Sequence, residues 1–262
     1  MNRIKAAFEN KALITYLTGG DPSVEVTEKL IVEMAAAGAD IVEIGIPFSD
    51  PSAEGPVIGA AHQRALKGGT TIDALLEMVA RVRQKTDIAL VFMSYLNPIF
   101  VYGKERFLAR CVQVGIDGII VPDLPHEERD ELKPECERAG VVLIPLIAPT
   151  SKDRIEKIAM ESSGFLYCVS SLGVTGMRKA IDTDIESMIK EVRKVSNTPS
   201  AVGFGVSGKE QARQMVDIAD GVVIGSAIVD IIGRQGANSI SGVREFVAGI
   251  KEAIATYPSS HR

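Results

Sequence analysis

Two residue types that build metal and disulfide sites are scarce in this 262-residue chain. Cys111, Cys136 and Cys168 are its only cysteines, widely spaced and without a CxxC pair. An odd number at such spacing excludes a disulfide framework and reads as three free thiols in a reducing compartment. Of the three histidines, His62, His126 and His261, none forms an HxH or HExxH pair, so no metal site is expected. Long apolar runs are missing, which excludes a membrane-spanning helix. The start, MNRIKAAFENK, is a short amphipathic stretch without the apolar core of a signal peptide. Positive charge is not in excess either. With 29 basic and 34 acidic residues the formal net charge is −5, which argues against a nucleic-acid surface or a polybasic membrane patch but leaves room for a small basic pocket. These absences together lead us to expect a cytoplasmic protein. No Gly/Ser-rich linker divides the chain. We therefore expect one domain over residues 1–262, with about the last five residues, the polar SSHR tail included, disordered.

What is present is repetition. Hydrophobic residues make up 46% of the chain and charged residues 24%, enough for a large core. Short β-branched runs bounded by Gly, Pro or Asp occur at 12–18, 41–47, 88–95, 118–123, 141–148, 164–170, 199–205 and 221–225. Amphipathic stretches such as VEVTEKLIVEMAAAGA and TIDALLEMVARVRQK separate them. Eight strands alternating with helices imply a parallel sheet, and near-continuous apolar strands imply burial on both faces. Eight such units in this length predict an α/β fold of the (β/α)8 TIM-barrel type, with an extra N-terminal helix. The alternative, a doubly wound open sheet, lacks a GxGxxG after the first strand. Two connections are long: residues 47 to about 71 after the second strand, and Ser171 to about Asp184 after the sixth. In a barrel, loops at these strand ends carry the active site.

The stretch IVEIGIPFSDPSAEGP, residues 41–56, sets Glu43 within the second strand and Asp50 and Glu54 in a loop stiffened by Pro47, Pro51 and Pro56. A Glu between Val42 and Ile44 in a central strand is costly unless used or paired. Asp50, before Pro51, reads as an ordering residue of the loop. Farther on, PSAVGFGVSGKEQA and GVVIGSAIVD both end a strand in small residues before a helix. Gly203, Gly205, Gly225 and Ser226 leave backbone N–H groups open, and a helix starting near Ser226 would aim its dipole at an anion. GVTG at 173–176 offers a third turn of this kind. Three such turns in consecutive units point to a phosphate.

The motifs LITYLTGGDP, EIGIPFSDPSAEGPVI, SYLNPIFVYG, VPDLP, GVTG, GFGVS and IGSAIV, in that order over about residues 12–255, resemble the family of tryptophan synthase alpha subunits. The resemblance implies a (β/α)8 barrel that cleaves indole-3-glycerol phosphate to indole and glyceraldehyde 3-phosphate by a retro-aldol reaction. It also implies a beta-subunit partner in an α2β2 assembly, with pyridoxal phosphate in that partner and no cofactor in this chain. By motif, Glu43 takes the place of the acid/base glutamate, and Glu54 that of a second carboxylate which is usually Asp. Tyr167 matches the tyrosine that neighbours the site and is placed with Glu43 and Glu54 in the catalytic set. Gly176, Phe204, Gly205, Gly225 and Ser226 match phosphate contacts. Tyr16, Met93, Tyr95, Ile120, Pro122 and Ile147 fall where the indole pocket lies. Asp50, Asp123 and Thr175 read as loop-ordering residues, and Ser52 stands where a larger apolar residue is common.

The chemistry suits two carboxylates in different environments. One carries a proton to the ring carbon; the other stays ionised beside the ring nitrogen. We expect a desolvated Glu43 in the first role and a more solvated Glu54 in the second. Three other readings compete. One is another phosphosugar barrel enzyme, which the absence of a metal-spaced set or strand-end Lys disfavours. The others are a free-standing lyase and a non-catalytic barrel that only regulates a partner.

Overall fold

The computed structural model describes residues 3–148, 154–169, 184–203 and 205–255. Its strands are β1 (Ala12–Thr18), β2 (Ile41–Gly45), β3 (Ala89–Met93), β4 (Gly118–Ile120), β5 in two pieces (Val142–Ile144 and Leu146–Ile147), β6 (Leu166–Val169), β7 (Ser200–Gly203) and β8 (Gly221–Ile224). Every pairing is parallel, each strand to its chain neighbours, and β1 also pairs with β8. The first piece of β5 pairs with β4 and the second with β6. Between them Pro145, which has no N–H to give the ladder, still accepts the Tyr167 N–H through its carbonyl at 3.0 Å. The two pieces are one stave, and eight staves close the barrel.

Closure divides the apolar residues by strand parity. Outward-facing Leu13, Leu17, Val42, Ile44, Leu90 and Phe92 pack against the inner faces of the surrounding helices, through Leu30, Ile31, Leu75 and Val79 among others. Inward-facing Ile14, Tyr16, Ile41, Ala89, Val91, Met93, Ile120, Ile144, Tyr167, Ala201 and Val223 fill the interior. The expected N-terminal helix, Arg3–Ala7, plugs the N-terminal mouth. Ile4 is fully buried with the interior residues, and the Phe8 ring lies 5.4 Å from that of Phe165.

The helices start where the sequence supplies caps. Ser23 Oγ accepts the Val26 N–H to open Val24–Ala36, and Thr71 Oγ1 accepts the Ala74 N–H to open Ile72–Arg83. The long connection after β2 is not all loop: residues Pro56–Lys67 form a helix, with Pro56 in the first turn where its fixed φ is suited. A further short helix, Leu96–Tyr102, follows β3. After β4 the chain forms a 3-10 turn, His126–Glu131, and then a helix, Lys133–Ala139, with Pro134 in its first turn. Among the described residues, no helix is long and apolar enough to cross a membrane and no cluster suits a metal ion. Cys111, Cys136 and Cys168 are free and buried.

Candidate active site

Glu43 sits mid-strand in β2, in register between Tyr16 of β1 and Val91 of β3. Since Val42 and Ile44 face the helical shell, parity turns Glu43 into the barrel. It is fully buried, and among the described residues neither carboxylate oxygen has a hydrogen-bond partner. Desolvation alone pushes its pKa up to about 8. An isolated buried carboxylate of this kind is a neutral acid at pH 7, a proton held in reserve.

The loop after β2 places the second acid. Tyr95, at the end of β3, holds it at two points: its hydroxyl accepts the Ala53 N–H at 2.8 Å and donates to Glu54 Oε2. The Phe48 ring rests 5.3 Å from the Tyr95 ring, so the loop folds down over the mouth. This corrects the expectation that Glu54 lies near water: it is only 8% exposed. Burial raises its pKa, and the Tyr95 hydroxyl and a backbone hydrogen bond oppose that rise. What separates the two acids is partners rather than exposure. Glu54 has a donor that favours the anion; Glu43 has none among the described residues. Ser52 is exposed and leaves the site to its neighbours.

Tyr16, Glu54, Ile58, Met93, Tyr167, Gly205, Val206, Val223, Gly225 and Ser226 surround a cleft of about 450 Å³, solvent at its mouth included. Two close approaches shape its floor. A Cβ on Gly45 would come within 2.2 Å of the Tyr16 hydroxyl, and one on Gly203 within 2.5 Å of the Tyr167 hydroxyl, so only glycine leaves room for either tyrosine. Glu43 lies near enough that its charge raises the pKa of both hydroxyls, on top of a larger desolvation effect. On the opposite rim, Gly205 has φ +88°. Gly225 immediately precedes the ten-residue helix Ser226–Gln235, whose first turn therefore opens on the cleft. A buried carboxyl pair on one side thus faces a glycine-rich rim and a helix N-terminus on the other.

The structure brings Glu54, Tyr167, Tyr16, Met93, Gly205, Gly225 and Ser226 to the lining of one cleft; Tyr95 reaches it through Glu54, and Glu43 lies buried behind that lining as the register partner of Tyr16. Ile120 is buried in the interior cluster. Pro122, just past β4, is half-buried and does not line the cleft. Ile147 belongs elsewhere: it packs in the layer between strands and helices. Parity continues through Pro145, so Ile144 and Leu146 turn inward and Ile147 outward. Asp50 is exposed and accepts from the adjacent Ser49 hydroxyl. Asp123 accepts the Leu96 N–H at 2.9 and 3.2 Å, ordering the turn after β3 rather than the loop after β2. Gly176, Phe204 and Thr175 lie outside the described residues.

Sequence reasoning missed Ile58, Val206, Val223 and His62. Val223 was accessible from parity, two residues before Gly225. His62 is 2% exposed on the helix Pro56–Lys67 and bonds to both the β2 loop and Tyr16. Its helix carries a sequence signal, burial at 58, 61, 62 and 65, one face of a 3.6-residue period. Asp21, after β1, steadies that helix through a bidentate pair with Arg64 at 2.8 and 2.7 Å.

Fold and site together define a (β/α)8 barrel with two carboxyls in different environments, one on β2 and one in the loop after it, the architecture of a barrel enzyme. A family model described as tryptophan synthase alpha chain matches residues 2–256. The tryptophan synthase alpha chain of Thermoanaerobacter sp. (strain X514) is 47% identical over 262 residues, covering 97% of this chain and 100% of the relative. A crystal structure of the alpha chain from Legionella pneumophila subsp. pneumophila superposes with TM-score 0.89 at 34% identity, covering 99% of each chain. A tryptophan synthase complex from Pyrococcus furiosus gives 0.85 at 34% identity, covering 91% of this chain and 97% of that one. The chain belongs to the tryptophan synthase alpha chain family, lyase subunits that cleave indole-3-glycerol phosphate in tryptophan biosynthesis.

Proposed function

We propose that Glu43 and Glu54 divide that cleavage between them. The phosphate of the substrate binds at Gly205, Gly225 and Ser226 under the dipole of the helix Ser226–Gln235, and the flat ring lies between Tyr16, Ile58 and Met93. Neutral Glu43 gives its proton to ring carbon C3, and the ring becomes a cation. Glu54, as carboxylate, accepts a hydrogen bond from the ring N–H and stabilises that charge. The Glu43 carboxylate then takes the proton of the hydroxyl on the adjacent side-chain carbon. As it does so the carbon–carbon bond breaks, its electron pair returns to the ring, and an aldehyde forms. Indole and glyceraldehyde 3-phosphate leave, and Glu43 again holds its proton. Tyr167 packs beside Glu43 and keeps its surroundings dry.

The observation that carries this reading is the fully buried carboxyl of Glu43, without a hydrogen-bond partner among the described residues, set behind Tyr16 and Tyr167 of a cleft whose far rim is Gly205, Gly225 and Ser226. These steps, as drawn, use side chains alone. Pyridoxal phosphate belongs, on this reading, to a beta subunit in an α2β2 assembly in the cytoplasm. Phe100 and Val101, 47% and 81% exposed on the helix Leu96–Tyr102 beside the mouth, give such a partner an apolar foothold. Indole release from indole-3-glycerol phosphate, measured for the chain alone and with a beta subunit, tests both parts. Release alone and faster release with the partner are expected. No release under either condition overturns the catalytic reading, and no change with the partner overturns the coupling.

A further inference from the structure

Resting on that reading, we propose that His62 is a positioning residue that fixes Glu54 over the ring by clamping the β2 loop to the barrel floor. His62 is buried, one turn and a half into the helix that follows the loop, and each ring nitrogen meets a different part of the site. Nδ1 lies 3.1 Å from the Phe48 backbone nitrogen and 3.4 Å from the Phe48 carbonyl oxygen. The shorter contact assigns Nδ1 as acceptor of the Phe48 N–H, which leaves the ring proton on Nε2. Nε2 then donates to the Tyr16 hydroxyl at 3.3 Å, and that hydroxyl also contacts Thr18 Oγ1 at 3.3 Å. Burial lowers the pKa of His62, which keeps the imidazole in the neutral form that this arrangement needs.

The clamp completes a two-point hold. At its far end, next to the helix, the loop is pinned by the Tyr95 hydroxyl to Ala53 and Glu54. Near its start, Phe48 is held by His62 through its backbone and packs its ring, tilted, against that of Tyr95. A loop tied at Glu54 alone still pivots about that tie, whereas one tied at Phe48 as well has a fixed height above Tyr16. Since Tyr16 is the register partner of Glu43, the imidazole links the loop that carries one acid to the strand layer that carries the other. A displacement of about 1 Å of a reacting group can cost roughly 10²-fold in rate, so a hold of this kind acts on turnover more than on substrate affinity.

The two nitrogens can be tested separately. Asn places an acceptor where Nδ1 stands; Gln reaches the position of Nε2 but not Nδ1; Leu supplies neither. Wild type, His62→Asn, His62→Gln and His62→Leu are compared by residue-resolved amide hydrogen exchange and by kcat and KM for indole release. Wild type and His62→Asn should protect the Phe48 amide. His62→Gln and His62→Leu should lose that protection and also loosen Ala53. Their kcat should fall roughly 10–100-fold with KM within about threefold of wild type, and His62→Asn should stand at least about tenfold above His62→Gln. Unchanged Phe48 protection in His62→Gln refutes the clamp, as does a kcat for His62→Asn no better than that of His62→Gln. If wild type itself releases no indole, the catalytic reading fails, and Phe48 exchange in the same proteins still decides whether His62 holds the loop. Should His62→Leu fail to fold, the Asn and Gln variants carry the comparison alone.

Discussion

Replacing Glu43 with Gln should make the protein more stable, and increasingly so as the pH rises. Gln is close in shape to a neutral glutamic acid but has no charge to desolvate. The Glu43 carboxyl ionises near its ordinary value of 4.5 in the unfolded chain and at about 8 in the folded one. Over that window the native state holds a proton that the unfolded state has released. Wild-type stability therefore falls as the pH rises through the window, while Glu43→Gln has no such loss. Each pH unit climbed within the window costs the wild type about 1.36 kcal/mol. The handicap from this group is therefore about 2 kcal/mol at pH 6, about 3 at pH 7 and about 4 at pH 8, reaching a plateau near 5 above that. The group is fully buried, so no solvent screening reduces these order-of-magnitude figures. Urea unfolding of both proteins, followed by circular dichroism at several pH values from 6 to 8, measures the gap. The other ionisable groups cancel in the difference. The gap should widen by about 2 kcal/mol across that range. A constant gap would mean that Glu43 titrates alike in folded and unfolded chains, and the proton reservoir would be lost from the mechanism.

Tyr95→Phe removes the donor that favours ionised Glu54, so the Glu54 pKa should rise and the acidic limb of the kcat/KM profile should move to higher pH; an unmoved limb argues that the Tyr95 hydroxyl does not act on Glu54. Gly203→Ala puts a methyl against the Tyr167 ring and hydroxyl, at a cost of about 1–3 kcal/mol in thermal or urea stability together with lost activity; a fully active and stable variant would show that the tyrosine moves aside freely. Glu54→Asp should keep an anion in the cleft with a shorter reach and retain substantial indole release, whereas Glu54→Gln should lose roughly 10²–10⁴-fold; equal activity of the Gln variant contradicts the electrostatic role.

Much of this site can be read from sequence because its signals are local. Glu43 stands out since a carboxylate between Val42 and Ile44 breaks an apolar strand, and the small residues at 203, 205, 225 and 226 mark strand ends that lead into helices. What sequence hides is mostly long-range. The tie from Tyr95 to Ala53 and Glu54 spans about forty residues and inverts the simple expectation that a loop acid is a solvated acid. His62 looks like a lone histidine in an amphipathic helix until the loop before it folds back. Ile147 shows a different failure. The residue type suited an apolar pocket, but the two-residue period of the strand fixes its side as outward, and Pro145 obscured that period by interrupting the ladder without shifting its phase. The helix Pro56–Lys67 carries its period at 58, 61, 62 and 65, but with small residues and a histidine in three of those four places the face reads as weakly apolar.

The central claim is that Glu43 moves the proton that breaks the carbon–carbon bond. Its most direct test is single-turnover indole release from indole-3-glycerol phosphate by wild type and Glu43→Gln at pH 7, with binding of glycerol 3-phosphate to each measured alongside. The account predicts indole from the wild type, at least about a 10³-fold loss in the variant, and near-equal affinity for the phosphate ligand. Indole release by Glu43→Gln at a rate close to wild type would contradict it.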